Sequence, residues 1–124
     1  MEIKTLTPHS NDVKSVFFSP KLGKLVSCSM DGQLILTDLE QDKSETILKM
    51  EGFIGAVQIE TGIIVASISG IIMHLGFDGG VEQLKLKCKA RPSAIFATDR
   101  ILLLGDWEGN VYQYDIKTGA SRDY

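Results

Sequence analysis

The sequence is short of most residues that do chemistry. Its 124 residues include two histidines (His9, His74), two cysteines (Cys28, Cys88), three prolines and one tryptophan. Two cysteines this far apart, each inside an apolar run, make neither a disulfide framework nor a Cys/His metal site. They read as buried free thiols, which suits a reducing compartment. No nucleophile elbow, P-loop or dinucleotide fingerprint occurs. No metal site and no cofactor are expected. Basic residues are not in excess: 13 Lys and Arg stand against 16 Asp and Glu, a net charge of −3, without the footprint of a nucleic-acid binder. No run approaches the roughly 20 apolar residues of a membrane-spanning helix. The opening "MEIKTLTPHS" lacks the layout of a secretory signal. The expectation is an intracellular chain, cytoplasmic or nuclear, with neither nucleic acid nor membrane as partner. Helical signals are missing too: no window carries an apolar stripe at i, i+3, i+4, i+7 with caps at both ends.

What the sequence does have is short apolar or alternating runs, bounded by Gly, Asp, Asn, Ser and Pro. Twelve are found, at residues 2–7, 13–19, 24–29, 34–39, 45–50, 55–60, 63–69, 72–77, 81–87, 93–98, 100–107 and 110–116. This spacing of roughly ten residues predicts an all-β protein. The runs also repeat. The turns Asp31-Gly32, Ser69-Gly70 and Glu108-Gly109 place glycines 38 and 39 residues apart. Each turn is preceded by an apolar strand ("KLVSCS", "IIVASIS", "RILLLGDW") and followed by one ending at an acid: Asp38, Asp78 or Asp115. A period near 40 with four strands per period is the pattern of β-propeller blades.

Residues 9–39, "HSNDVKSVFFSPKLGKLVSCSMDGQLILTDL", resemble a WD40 repeat. The resemblance lies in His9 before the first strand, "DVKSVFFSP", the small-residue strand "LVSCS", the turn Asp31-Gly32 and "LILTDL". Thr37 stands where that family often has tryptophan. "SGIIMHLGFD" keeps only the glycine turn, and "DWEGNVYQYDIKTG" has Glu108 at the turn and Tyr114 in the tryptophan position. The third copy also resembles the repeat of quinoprotein-type propellers. In the WD40 family the loop His, a strand Ser, the turn Asp and the Trp form a buried polar chain. The resemblance therefore implies such a network from His9, Ser27 or Ser29, and Asp31, with Thr37 as its shortened end.

Three blades are fewer than the 4–8 with which propellers typically close. Neighbour stacking is what buries a blade's core. At about 25 cal/mol per Å2, an open lateral face of several hundred Å2 forfeits on the order of 10 kcal/mol. The ends suggest how this is relieved. Copy three stops after "NVYQYDI" without an outer strand, while residues 2–7 are an outer strand without a blade. The expected architecture is half of a six-bladed ring: blade 1 at about 12–50, blade 2 at about 53–88 and blade 3 at about 92–117. Blade 3 would be completed by residues 2–7 of a second copy, a homodimer through blade-edge strand exchange. Two rival accounts fit the same ends: completion by a different protein, or a chain that is a fragment of a longer one.

The expected function is that of a non-catalytic protein-interaction scaffold, with a small-ligand or enzymatic propeller acting at its central channel as the alternative. The inner strands offer that channel only Lys14, Ser15, Gln58 and Thr98 as polar groups. Ser27, His9 and Asp31 include the residue types of a hydrolase triad, but the resemblance accounts for them structurally. Candidate partner-binding residues are Trp107, which sits at a blade turn between Asp106 and Glu108, and Lys85, Lys87 and Lys89. Period-two spacing on an outer strand would put those lysines on one face, either as a solvated edge that discourages aggregation or as a patch for an acidic partner.

Overall fold

The computed structural model describes residues 5–124. Among them there is no helix, and twelve strands form three four-stranded antiparallel sheets. Blade 1 comprises β1 (Val13–Ser19), β2 (Lys24–Ser29), β3 (Gln33–Asp38) and β4 (Lys43–Lys49). Blade 2 comprises β5 (Phe53–Ile59), β6 (Gly62–Ser67), β7 (Ile72–Gly76) and β8 (Val81–Gln83). Blade 3 comprises β9 (Pro92–Ala97), β10 (Ile101–Asp106), β11 (Val111–Asp115) and β12 (Ser121–Asp123). In every blade the strands pair in chain order. The chain is thus an all-β protein built of propeller-type blades.

Blade 2 is the middle layer. Strand β5 lies against β1 and β2 on one side and β9 on the other. The pattern of β6, "GIIVAS", shows why. All six residues are buried, because Ile63 and Val65 pack with Val26, Cys28, Leu34 and Phe53 of the blade 1–2 core, while Ile64 and Ala66 pack with Leu102, Leu104 and Tyr112 of the blade 2–3 core. A strand covered on both faces reads as a continuous apolar run. In β10, "ILLLGD", burial alternates instead: Leu102 and Leu104 are buried, Ile101 and Leu103 only partly. Blade 3 has a blade on one side only.

The structure corrects three expectations. Blade 3 does not lack an outer strand. Strand β12 pairs with β11 through Tyr112↔Asp123, Gln113↔Arg122 and Tyr114↔Ser121, so the blade runs to residue 123 rather than to about 117. The chain turns back because the Asp115 carboxylate accepts the Lys117 and Thr118 N–H groups and Gly119 adopts φ +77°. Second, the strand expected at 2–7 falls partly outside the described residues, and within them residues 5–7 are not in a strand. Third, the outer strand of blade 2 ends at Gln83 rather than at residue 87. Leu84 and Leu86 leave the sheet edge to enter the blade 2–3 core, so Lys85, Lys87 and Lys89 stand on the irregular segment after β8. All three remain exposed, because the alternation with Leu84 and Leu86 persists.

The turn glycine of blade 1 is fixed twice over. Gly32 has φ +81°, and a Cβ there would collide with the Met50 carbonyl oxygen. Gly23, at φ +65°, has open space around it. Gly23→Ala is expected to cost only left-handed strain, about 1–2 kcal/mol, and Gly32→Ala clearly more, read as separate shifts of the urea midpoint. Ile64→Ala, fully buried between two blades, is expected to cost about 2–5 kcal/mol.

Candidate functional site

The polar residues singled out in blade 1 meet at the turn between β2 and β3. The His9 side chain is 1% exposed and that of Asp31 4%. His9 Nδ1 lies 3.0 Å from Asp31 Oδ2, and His9 Nε2 lies 2.8 Å from Ser27 Oγ. With the ring neutral, Nδ1–H donates to the carboxylate and Nε2 accepts the Ser27 hydroxyl. The Ser10 N–H also donates to Asp31 Oδ2, and the Gln33 N–H to Oδ1. Burial pulls the Asp31 carboxyl up, but these backbone donors and the His9 ring outweigh it, and its pKa lies below the ordinary value. Ser29 serves a neighbouring role: its Oγ accepts the Asp31 N–H and donates to the Asn11 carbonyl. Thr37 does not join the network. It is 2% exposed and bonds to Ser44 Oγ across the β3–β4 pair at 2.8 Å.

Ser27, His9 and Asp31 have the bonding order of a hydrolase triad. Ser27 is 4% exposed. The trio pins the segment before β1 onto the face of blade 1 that points away from blade 2. Ile35 and Thr37 are buried on that same face.

The other two blades carry counterparts that reading the sequence missed. The residue three before each turn glycine is Ser29, Ser67 or Asp106, and in each case the glycine N–H donates to that residue's carbonyl. Ser67 Oγ accepts the Ile71 N–H and donates to Glu51 Oε1. Ser69 donates to the same Glu51 oxygen, and the two hydroxyls hold the Glu51 pKa down. Asp106 accepts four hydrogen bonds: the Glu108 N–H, the Asn110 N–H, the Asn110 side-chain amide and, at 2.6 Å, the Tyr112 hydroxyl. Burial raises its pKa, but the Tyr112 hydroxyl and the Asn110 and Glu108 donors overcome this and bring it to about 2. The signal was present in the sequence: positions 29, 67 and 106 repeat with the same spacing as the glycines. Because the third copy has an aspartate where the first two have serine, only the register reveals it.

The candidate partner-binding residues lie on two parts of the surface. Trp107 is 66% exposed and carries the Arg91 guanidinium over its ring at 4.3 Å. Such a contact is worth about 0.5–1 kcal/mol at an exposed site. Arg91 also reaches Met30 Sδ at the blade 1 turn. Lys89 pairs with Asp123 at 3.0 Å. Of the inner-strand polar groups, Ser15 is used structurally, its Oγ accepting the Ala56 N–H between blades 1 and 2. Thr98 Oγ1 accepts the Ile101 N–H within its own turn. Gln58 Oε1 is buried with no partner among the described residues, where no group of three or more His, Cys, Asp or Glu side chains is arranged to hold a metal ion either.

No protein-family model matches the sequence, and no curated protein sequence matches it. Among solved structures, the chain resembles the crystal structure of the tricorn protease, with a TM-score of 0.66 and 15% identity over 90% of this chain. The match spans 12% of the tricorn protease chain. At that identity the likeness is one of fold.

His9→Ala, which strips partners from buried Ser27 and Asp31, is expected to cost about 1–3 kcal/mol in urea unfolding. Thr37→Val, whose partner Ser44 reaches solvent, is expected to cost about 1 kcal/mol or less. The lowered carboxylates also set an acid limit. A depressed folded-state pKa contributes stability that is complete above the unfolded value and lost as pH falls through the folded one. For Asp106 that window runs from 3.8 down to about 2. The thermal midpoint is expected to hold above pH 5 and fall between about pH 4 and 2. Asp106→Asn is expected to start lower at neutral pH and lose less across that interval.

Proposed function

We propose that the chain is a non-catalytic protein-interaction scaffold of WD40 type, two copies of which close into a six-bladed ring. The observation that carries this reading is the outer face of blade 3. Leu103 pairs with Phe96 and Gln113, and Val111 pairs with Tyr124. These residues alternate with the ones that face blade 2, so they point away from it. Phe96 is 60% exposed, Val111 43% and Tyr124 62%. At the other end of the chain, Val16 and Phe18 of β1 are 60% and 53% exposed, alternating with Phe17, which packs toward blade 2. Contiguous exposed apolar surface of this kind marks an interaction site. Blade 3 of one copy set against blade 1 of the other covers both faces, and a two-fold axis repeats the contact.

Because β12 holds the outer edge of blade 3, the closure we propose rests on stacked faces. A partner's residues 2–7 would have to add beyond β12 or displace it. Trp107 with its Arg91 and the Lys85–Lys87–Lys89 series are the surfaces we assign to other proteins. The same exposed faces also fit a subunit completed by a different protein, and the two readings separate by mass.

Light scattering over a range of concentrations is expected to give a species of twice 13.6 kDa. Phe96→Glu, on an exposed side chain, is expected to shift that species to monomer while the circular dichroism spectrum is kept. A wild-type chain that stays a folded monomer at all concentrations would overturn the ring. Polydisperse aggregate would support completion by another protein. Labelling with a fluorophosphonate probe is expected to leave Ser27 unmodified. Stoichiometric modification would overturn the non-catalytic assignment.

A further inference from the structure

The segment after β8 and the last strand of blade 3 enclose a cleft of about 660 Å3. One wall is residues 84–87, and the other carries Ser121 and Asp123 of β12. Three features of this cleft fit a single kind of occupant.

The first is a free strand edge. Val111 and Tyr124 exchange both backbone hydrogen bonds, Val111 N–H to Tyr124 O at 3.2 Å and Tyr124 N–H to Val111 O at 2.7 Å. Such pairs alternate along an antiparallel ladder. Arg122 therefore bonds to β11, and Ser121 and Asp123, which line the cleft, turn their own N–H and C=O groups away from β11 to an edge with no partner strand among the described residues. The second is shape. Residues 84–87 run with alternating burial, Leu84 and Leu86 inward and Lys85 and Lys87 exposed, so this wall has the period of an extended chain. The third is charge. Lys85 and Lys87 have no ion-pair partner among the described residues, whereas the nearby acids are engaged, Glu82 with His74 and Asp123 with Lys89.

We propose that this cleft binds an extended acidic peptide of a partner protein as an added strand on the free edge of β12, its acidic side chains meeting Lys85 and Lys87. Main-chain bonds to Ser121 and Asp123 supply the attachment, and the lysines select for charge. The assignment rests on the scaffold reading and gives it a partner chemistry. A second copy's residues 2–7 are the less suitable occupant, since Glu2 and Lys4 leave that segment without net charge.

The test is fluorescence anisotropy with a labelled eight-residue peptide of alternating glutamate and valine, titrated with the full chain. Saturable binding that weakens with salt is expected, with none for the lysine–valine counterpart. The double variant Lys85→Glu, Lys87→Glu is expected to weaken binding at least ~10-fold, while Lys21→Glu, Lys43→Glu leaves it unchanged. A peptide with a fully N-methylated backbone keeps its charge, loses its donors and is expected not to bind. No binding of the glutamate peptide, or binding indifferent to either the lysine reversal or the methylation, overturns the proposal. So does amide exchange at Ser121 and Asp123 that slows with protein concentration alone, because a second copy would then occupy the edge. The ring is read separately by light scattering. A dimer that ignores the peptide sinks the cleft and spares the ring, and a monomer that binds it does the reverse.

Discussion

Everything in this molecule depends on one requirement: a four-stranded sheet with apolar side chains on both faces needs a neighbour on each. Blade 2 has two. Its central strand β6 is buried from end to end, and it contributes to both hydrophobic cores. Blades 1 and 3 have one neighbouring blade each, and they handle the remaining face differently. On blade 1 the segment before β1 is tied down through His9, and Ser27, Ile35 and Thr37 are covered. On blade 3 no comparable segment is found among the described residues, where Phe96, Val111 and Tyr124 are exposed. The proposed ring would cover this face together with Val16 and Phe18, which stay exposed on blade 1.

The blade turns solve a second, smaller problem. Each must reverse the chain at a glycine while its neighbouring polar groups leave water. All three use the same backbone bond from the glycine N–H to the carbonyl three residues earlier, but each satisfies the side chains differently. Blade 1 recruits a histidine from another part of the chain, blade 2 a glutamate, and blade 3 an aspartate that bonds to Asn110 and Tyr112. A buried network must be complete to be stabilising. That explains why Asp31 and Asp106, each with several donors, are held as carboxylates against the pull of burial.

Much of this was legible in the sequence for a local reason. Strand alternation and turn glycines recur every 38 or 39 residues, and alternation is a property of neighbouring residues that needs no partner to be read. The His9–Ser27–Asp31 set was legible through its resemblance to WD40 repeats, whereas Thr37, expected as the end of that network, bonds to Ser44 instead. Asp106 was not legible, because the first two copies have serine, Ser29 and Ser67, at the equivalent position. The edge of blade 3 was also misjudged. "KTGASRDY" is polar and reads as a tail, yet Asp115 and Gly119 fold it back onto β11, where three residues suffice for a strand.

The sequence by itself determined the fold class and the blade period, since these depend on period-two alternation and short-range turn chemistry, while the residues of the first polar network were implied by the resemblance to a WD40 repeat. Only the tertiary structure decided which apolar faces are covered, where the last strand pairs, and that Leu84 and Leu86 leave the sheet edge for the core between blades 2 and 3. Those outcomes depend on contacts between residues far apart in the chain, and local pattern carries no information about which distant surface a side chain meets.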